Sequence, residues 1–259
     1  MPQDIGTLNT LNSDVTGGVV SGGGVTQCAN EGAQGHLAAQ AAPNTAPHAF
    51  SNAETAAVYR AIHERRDMRH FAGGTVPKEQ LDRIIDAAHH APSVGFMQPW
   101  RFVRVTNSAL RRHLHDIVDT ERLATADALG ERRDDFMCLK VQGILDCAEV
   151  LVAGLMEDRE RHIFGRRTLP EMDLASLACG IQNMWLAARA EGLGMGWVSL
   201  FDTAAVRTLL RMPLDAKPVA ILCLGPVLRF YDEPMLQQEG WAERMDVNRC
   251  VGENAWPVQ

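Results

Sequence analysis

Three guanidiniums fall within five residues at Arg65-Arg66-Asp67-Met68-Arg69. Held that close they repel one another unless solvent or a shared anion lies between them, and the arginine fork suits bidentate contact with phosphate. The other reading is a solvated helix end, with Asp67 as an internal counter-ion. Other common chemistries are missing. There is no GxxxxGK followed by Ser or Thr, no HExxH and no GxSxG. The pairs His89-His90 and His113-x-His115 lack a third ligand at useful spacing, so no metal is expected. Gly192-x-Gly194-x-Gly196 has dinucleotide-loop spacing, but it follows a helical stretch and precedes an apolar strand, the reverse of the order a phosphate cradle requires. It reads as a tight turn.

The elements around these residues can be placed by periodicity. Ala57, Val58, Ala61 and Ile62 recur at helical spacing, so a helix leads into the basic cluster and Gly73-Gly74 ends it. Pro77 opens a second helix, with Leu81, Ile84, Ile85 and Ala88 on one face, stopped by Ala91-Pro92. The loop Ser93–Trp100 leads into a strand at Phe102–Val105, and a charged helical region follows over roughly 108–146. A second strand is expected at Val150–Ala153, then a long, nearly chargeless helix from Asp173 to Ala190 that carries Leu174, Leu177, Ile181, Trp185 and Ala188. A short helix near 203–211 and a central strand at Val219–Gly225 complete the pattern. The last 30 or so residues hold Pro226, Pro234, Trp241, Trp256 and Pro257 without periodicity, which reads as an extended arm. Helices and strands without a strict βαβ rhythm indicate an α+β fold.

Of the 259 residues, 46% are hydrophobic, and the net charge is −7. That balance argues against partners such as nucleic acid or an anionic membrane surface, which need a basic field. No run of 18 or more apolar residues exists, so no membrane span is expected. Residues 1–50, rich in Gly, Ala, Thr, Asn and Gln, read as a disordered low-complexity extension, and residues 51–259 as the folded domain. Asp4, Asp14 and Glu31 carry three of the seven net negative charges, leaving the remainder only mildly acidic. No Lys or Arg precedes Arg60 and no compact apolar block resembles a secretory signal, so a cytoplasmic location is the default. Cys28, Cys138, Cys147, Cys179, Cys223 and Cys250 form no CxxC pair and are expected to be free thiols.

The basic cluster, Ala91-Pro92-Ser93-x-x-x-x-Gln98-Pro99-Trp100 and Gly194-x-Gly196-Trp197 together resemble the nitroreductase-like flavoproteins over roughly residues 53–245. With Gln182–Gly192 and Trp197-Val198-Ser199-Leu200-Phe201 added, the sequence is similar more narrowly to the 5,6-dimethylbenzimidazole synthase family of flavin destructases. That resemblance implies a nitroreductase-like FMN-binding domain, an α+β fold with a central mixed sheet flanked by helices, in which reduced FMN is a substrate fragmented with dioxygen to 5,6-dimethylbenzimidazole, the lower ligand of cobalamin, and erythrose 4-phosphate. It implies that the loop of Arg65, Arg66, Asp67, Met68 and Arg69 contacts FMN. Arg65 and Arg66 would take the phosphate and ribityl side, while Arg69 would face flavin N1 and the C2 carbonyl. Ser93 and Gln98 would meet the ribityl chain or ring, Leu139 would approach from the lid side, and Arg229 would reach the phosphate.

Where this sequence has Asp67, a general nitroreductase usually has a small polar residue. A carboxylate among phosphate-binding arginines is a poor choice for binding alone, and a proton-transfer role accounts for it. Asp67 is therefore the candidate base in ribityl cleavage. Ser199 is its candidate companion near the reactive face, the other reading being a strand-end serine bonded to its own backbone. An external flavin reductase would supply the reduced FMN. The chargeless helix and the apolar arm further imply a homodimer with the flavin near the subunit interface. Two other activities use the same cradle: an NAD(P)H-dependent flavin reductase or nitroreductase, and a non-catalytic FMN-sequestering protein.

Overall fold

The computed structural model describes residues 46–257. All but the last five residues of the expected extension, 1–50, lie outside them, as does Cys28. Helix α1 (Asn52–Glu64) starts at a capping box in which the Ser51 hydroxyl accepts from the Glu54 amide and the Glu54 carboxylate accepts from the Ser51 amide. It buries none of its residues, leaving Val58, Tyr59 and Ile62 exposed. Helix α2 (Lys78–His89) follows, burying Leu81, Ile84 and Ala88, and then strand β1 (Trp100–Arg104).

Helix α3 (Ser108–Ala128) is capped by Asn107, whose side chain accepts from the Ala109 and Leu110 amides. The helix expected to run on to about residue 146 stops much earlier. Gly130 turns the chain at a φ of +56°, a short helix α4 (Arg133–Cys138) follows, and the chain from Leu139 to strand β2 (Glu149–Leu155) is not helical. Gly143 lies in that stretch because a Cβ there would stand 2.5 Å from the Phe71 ring. Helix α5 (Met172–Ala190), strand β3 (Gly194–Val198), helix α6 (Thr203–Leu209), strand β4 (Lys217–Gly225) and the short helix α7 (Met235–Gln238) complete the order.

The strands line up as β1-β2-β4-β3, each pair antiparallel. The mixed character expected of the sheet is confined to one isolated parallel bridge, Asp67 to Met195, which joins the basic loop to β3. Both faces of the sheet are covered. Leu151, Ala153, Ala220, Leu222 and Leu224 pack towards Leu81, Ile84, Leu177, Ile181 and Met184 of α2 and α5. Val150, Val152, Ile221 and Cys223 pack towards Leu114 and Val118 of α3 and Val206 of α6. Double burial explains why β2 and β4 read as unbroken apolar runs rather than alternating ones. The charge at the start of β2 is neutralised, since Glu149 takes both arms of the Arg104 guanidinium at 2.7 Å.

Helix α5 is buried on one side only. Leu177, Ile181, Trp185 and Ala188 face the core as expected, whereas Leu174 is exposed. Cys138, Cys147, Cys179, Cys223 and Cys250 are free thiols. Among the described residues, no helix is long and apolar enough to cross a membrane, and no group of three or more His, Cys, Asp or Glu could hold a metal ion.

Candidate active site

The chain leaves α1 at Arg65 and lays the basic loop across β3. The Met68 amide donates to the Met195 carbonyl at 3.0 Å, and the Met68 side chain is fully buried beneath the loop. Only glycines allow this approach. A Cβ at Gly196 would stand 2.2 Å from the Met68 carbonyl oxygen, and one at Gly194 would stand 3.1 Å from Met68 Cγ. The glycine triplet expected to be one tight turn therefore divides: Gly192, at a φ of +77°, makes the turn, and Gly194 and Gly196 lie inside β3.

Beside this crossing lies a cavity of about 980 Å³, bordered by the basic loop, the end of β3, the stretch from Phe136 to Val141 and the C-terminal segment from Glu233 to Arg244. Its size is that of a small-molecule site. Arg69, only 11% exposed, donates from Nη2 to Asp67 Oδ2 at 2.6 Å and to the Trp197 carbonyl at 2.8 Å. Its Nη1 is buried and has no hydrogen-bond partner among the described residues. Asp67 Oδ1 accepts from the Trp197 amide at 3.0 Å. Although 42% of the Asp67 side chain stays open, the packing around it is dense enough that burial pushes its carboxyl above the ordinary value, against the opposing pull of Arg69, the Trp197 amide and Arg65.

Arg65 lies over the Trp185 ring, 4.6 Å from its centroid, and forms no ion pair within 4 Å among the described residues. Burial lowers its affinity for a proton, and the charges of Arg66 and Arg244 add to that effect while Asp67 opposes it. The Trp185 indole N–H donates to the Met195 carbonyl at 2.8 Å and the Arg66 carbonyl at 3.1 Å, fixing the loop to α5 and β3 together. Arg66 itself donates to the carbonyls of His63, Arg65 and Asp232 at 2.6, 2.9 and 2.6 Å. The Tyr231 hydroxyl accepts from the Arg69 amide and shares a 2.7 Å hydrogen bond with His70 Nδ1.

Of the residues singled out from the sequence, Arg65, Arg66, Asp67, Arg69, Leu139 and Ser199 line this one cavity. Ser199 follows the end of β3, and among the described residues its side chain makes no hydrogen bond. Four do not line it. Met68 points into the core, and Arg229 is exposed. The Ser93 hydroxyl accepts from the Gln98 amide within a loop held at Val94 by Ser176. Sequence reasoning missed the lining residues Trp197, Trp241 and Arg244. Arg244, unpaired among the described residues, had no signal to set it apart from Arg249 in the same aperiodic tail.

Residues 62–226 match the model of the nitroreductase family. The chain belongs to the nitroreductase family. Within it, the 5,6-dimethylbenzimidazole synthase of Rhodospirillum rubrum is 39% identical over 183 residues, 70% of this chain and 86% of that one. A 5,6-dimethylbenzimidazole synthase of Rhodobacter capsulatus is 36% identical over 198 residues, 76% of this chain and 96% of that one. A solved iodotyrosine deiodinase, bound to FMN and 3-iodo-L-tyrosine, shares the fold with a TM-score of 0.60 at 18% identity, covering 76% of this chain and 98% of that one. The narrower resemblance read from the sequence motifs thus agrees with the names of these relatives.

Proposed function

We propose that this protein is an enzyme that binds reduced FMN as its substrate and, with dioxygen, fragments it to 5,6-dimethylbenzimidazole, erythrose 4-phosphate and an oxidised pyrimidine fragment that carries the remaining four carbons and two nitrogens of the flavin. The observation that carries the reading is the pairing of Asp67 with Arg69 at the cavity wall: a carboxylate held above its ordinary pKa beside a guanidinium with one buried, unused donor. The residues fit such a ligand. Arg69 Nη1 suits the pyrimidine edge and its developing negative charge, and the unpaired cations Arg65 and Arg244 suit a phosphate. Reduced FMN supplies both the electrons and the carbon skeleton of the product.

Making the benzimidazole C2 from ribityl C1′ requires the C1′–C2′ bond to break and a proton to leave C1′ or its neighbouring hydroxyl. Asp67 accepts that proton, and Arg69 keeps the carboxylate oriented through its 2.6 Å bond. Ser199, free to rotate its hydroxyl, donates towards the reacting face. Leu139 and Phe136, both buried, limit the entry of water. The enzyme works in the cytoplasm as a homodimer, supplied with reduced flavin by a separate reductase. Exposed Val58, Tyr59 and Ile62 of α1 and Leu174 of α5 are the apolar surface a second copy would cover, and Ser93 and Gln98 would approach the flavin from that copy.

The test is incubation with reduced FMN in air, followed by mass spectrometry of the products. Dimethylbenzimidazole is the expected product. Clean reoxidation to FMN would instead favour a flavin reductase, and slow reoxidation of tightly held flavin a storage protein.

A further inference from the structure

Arg66 is the middle cation of the basic cluster, yet its Nη atoms hold three main-chain carbonyls. One of these, Asp232, lies 166 residues further along the chain. Past Asp232 the C-terminal segment borders the cavity from Glu233 to Gln237 and reaches Trp241. There it is held a second time. The Arg132 guanidinium lies 3.5 Å from the centre of the Trp241 ring and donates to the Trp241 carbonyl, while the Phe136 ring lies 6.2 Å from the indole. Three residues later comes Arg244, at the cavity wall with its charge felt by Arg65. Nothing of regular structure except α7 stiffens the path between the two fastenings.

We propose that the segment from Asp232 to Arg244 is a strap whose two fastenings, Arg66 and Arg132, hold Arg244 in place, making them positioning residues for discrimination in favour of a flavin that carries a phosphate. The inference rests on the FMN reading above. An extended segment without its own core keeps its shape only through such anchors, because each unfastened residue regains backbone freedom. A guanidinium whose two Nη atoms hold three main-chain carbonyls is fixed in orientation, and it suits a bolt better than a ligand that must exchange partners at each turnover. Arg132 does not line the cavity, so any effect it has on phosphate recognition must pass through the strap.

The readout is the ratio of dissociation constants for riboflavin and FMN, measured by fluorescence titration of the full chain. Arg244→Ala should lower that ratio about tenfold or more. Arg66→Gln and Arg132→Gln should each lower it about threefold or more, and neither should lower it further once Arg244 is Ala, the non-additivity expected of residues acting through one another. Loss of the same factor in both backgrounds would show that Arg66 touches the phosphate itself and would overturn the proposal. So would an unchanged ratio, or equal weakening of both flavins. Should Arg66→Gln fail to fold, Arg132→Gln answers by the same criteria. A parent protein that binds both flavins equally would remove the FMN reading, and this inference with it.

Discussion

Gly196 lies directly under the carbonyl of Met68, so close that a methyl group at Gly196 would stand 2.2 Å from that oxygen. The contact is with backbone on both sides, so no side chain can swing away to relieve it. Gly196→Ala is therefore expected to lift the basic loop off β3, costing about 1–3 kcal/mol of stability. The same displacement breaks the bond from the Trp197 amide to Asp67, so flavin affinity should fall with it. Thermal melting and flavin titration of the Ala variant check both effects.

Asp67→Asn keeps the shape of the side chain and removes the base. Flavin binding should persist while dimethylbenzimidazole formation falls about 10²–10⁴-fold, the usual worth of a positioned general base. Oxidation of reduced flavin by dioxygen needs no proton from C1′, so oxidised FMN should accumulate in place of product. Near-normal product yield would show that another group takes the proton.

The pH profile follows from the direction of the Asp67 shift. Burial raises its pKa, and the reaction needs the ionised form, so product formation should fall as the pH drops through a value above that of an ordinary aspartate, about 3.9. The stability sign is the opposite. A carboxyl that holds its proton more tightly in the fold than in the unfolded chain contributes stability below the ordinary pKa and loses it as the pH rises through the raised one. An acid limb in the rate of product formation that is absent from the Asn variant's residual activity would identify the group.

Arg69→Ala removes the guanidinium whose Nη1 has no hydrogen-bond partner among the described residues. Loss of one charge-assisted contact should weaken binding of reduced FMN by about 1.5–3 kcal/mol, and flavin oxidation should slow as the hydroquinone anion loses its counter-charge. Unchanged affinity for reduced FMN, measured anaerobically, would count against placing Arg69 at the pyrimidine edge.

Sedimentation at micromolar concentration should give a dimer, with Ile62→Asp shifting it towards monomer by putting a charge on the exposed face of α1. A monodisperse parent monomer would sink the homodimer.

The sequence was most legible where the signal is local. Helices α1, α2 and α5 and strands β2 and β4 follow from apolar spacing, and the cluster at Arg65–Arg69 stands out by charge alone. It misled where one residue type serves two purposes. Glycine marks turns and also close backbone approaches, so Gly194 and Gly196 read as part of a turn although they lie within a strand. Arginine binds anions and also caps carbonyls, and nothing near Arg66 reveals Asp232 as its partner. The end of α3 was overrun because the charged stretch beyond Gly130 keeps a helical composition. Arg244 was invisible because its place in the site depends entirely on contacts distant in sequence.

The strap also has a consequence for the order of events during synthesis. All the buried residues of the two apolar clusters flanking the sheet precede Gly225, so the N-terminal side of the molecule can collapse while the ribosome still holds the rest. Asp232, Trp241 and Arg244 emerge after that core. A nascent chain thus acquires its core before it acquires the segment that completes the wall of the cavity.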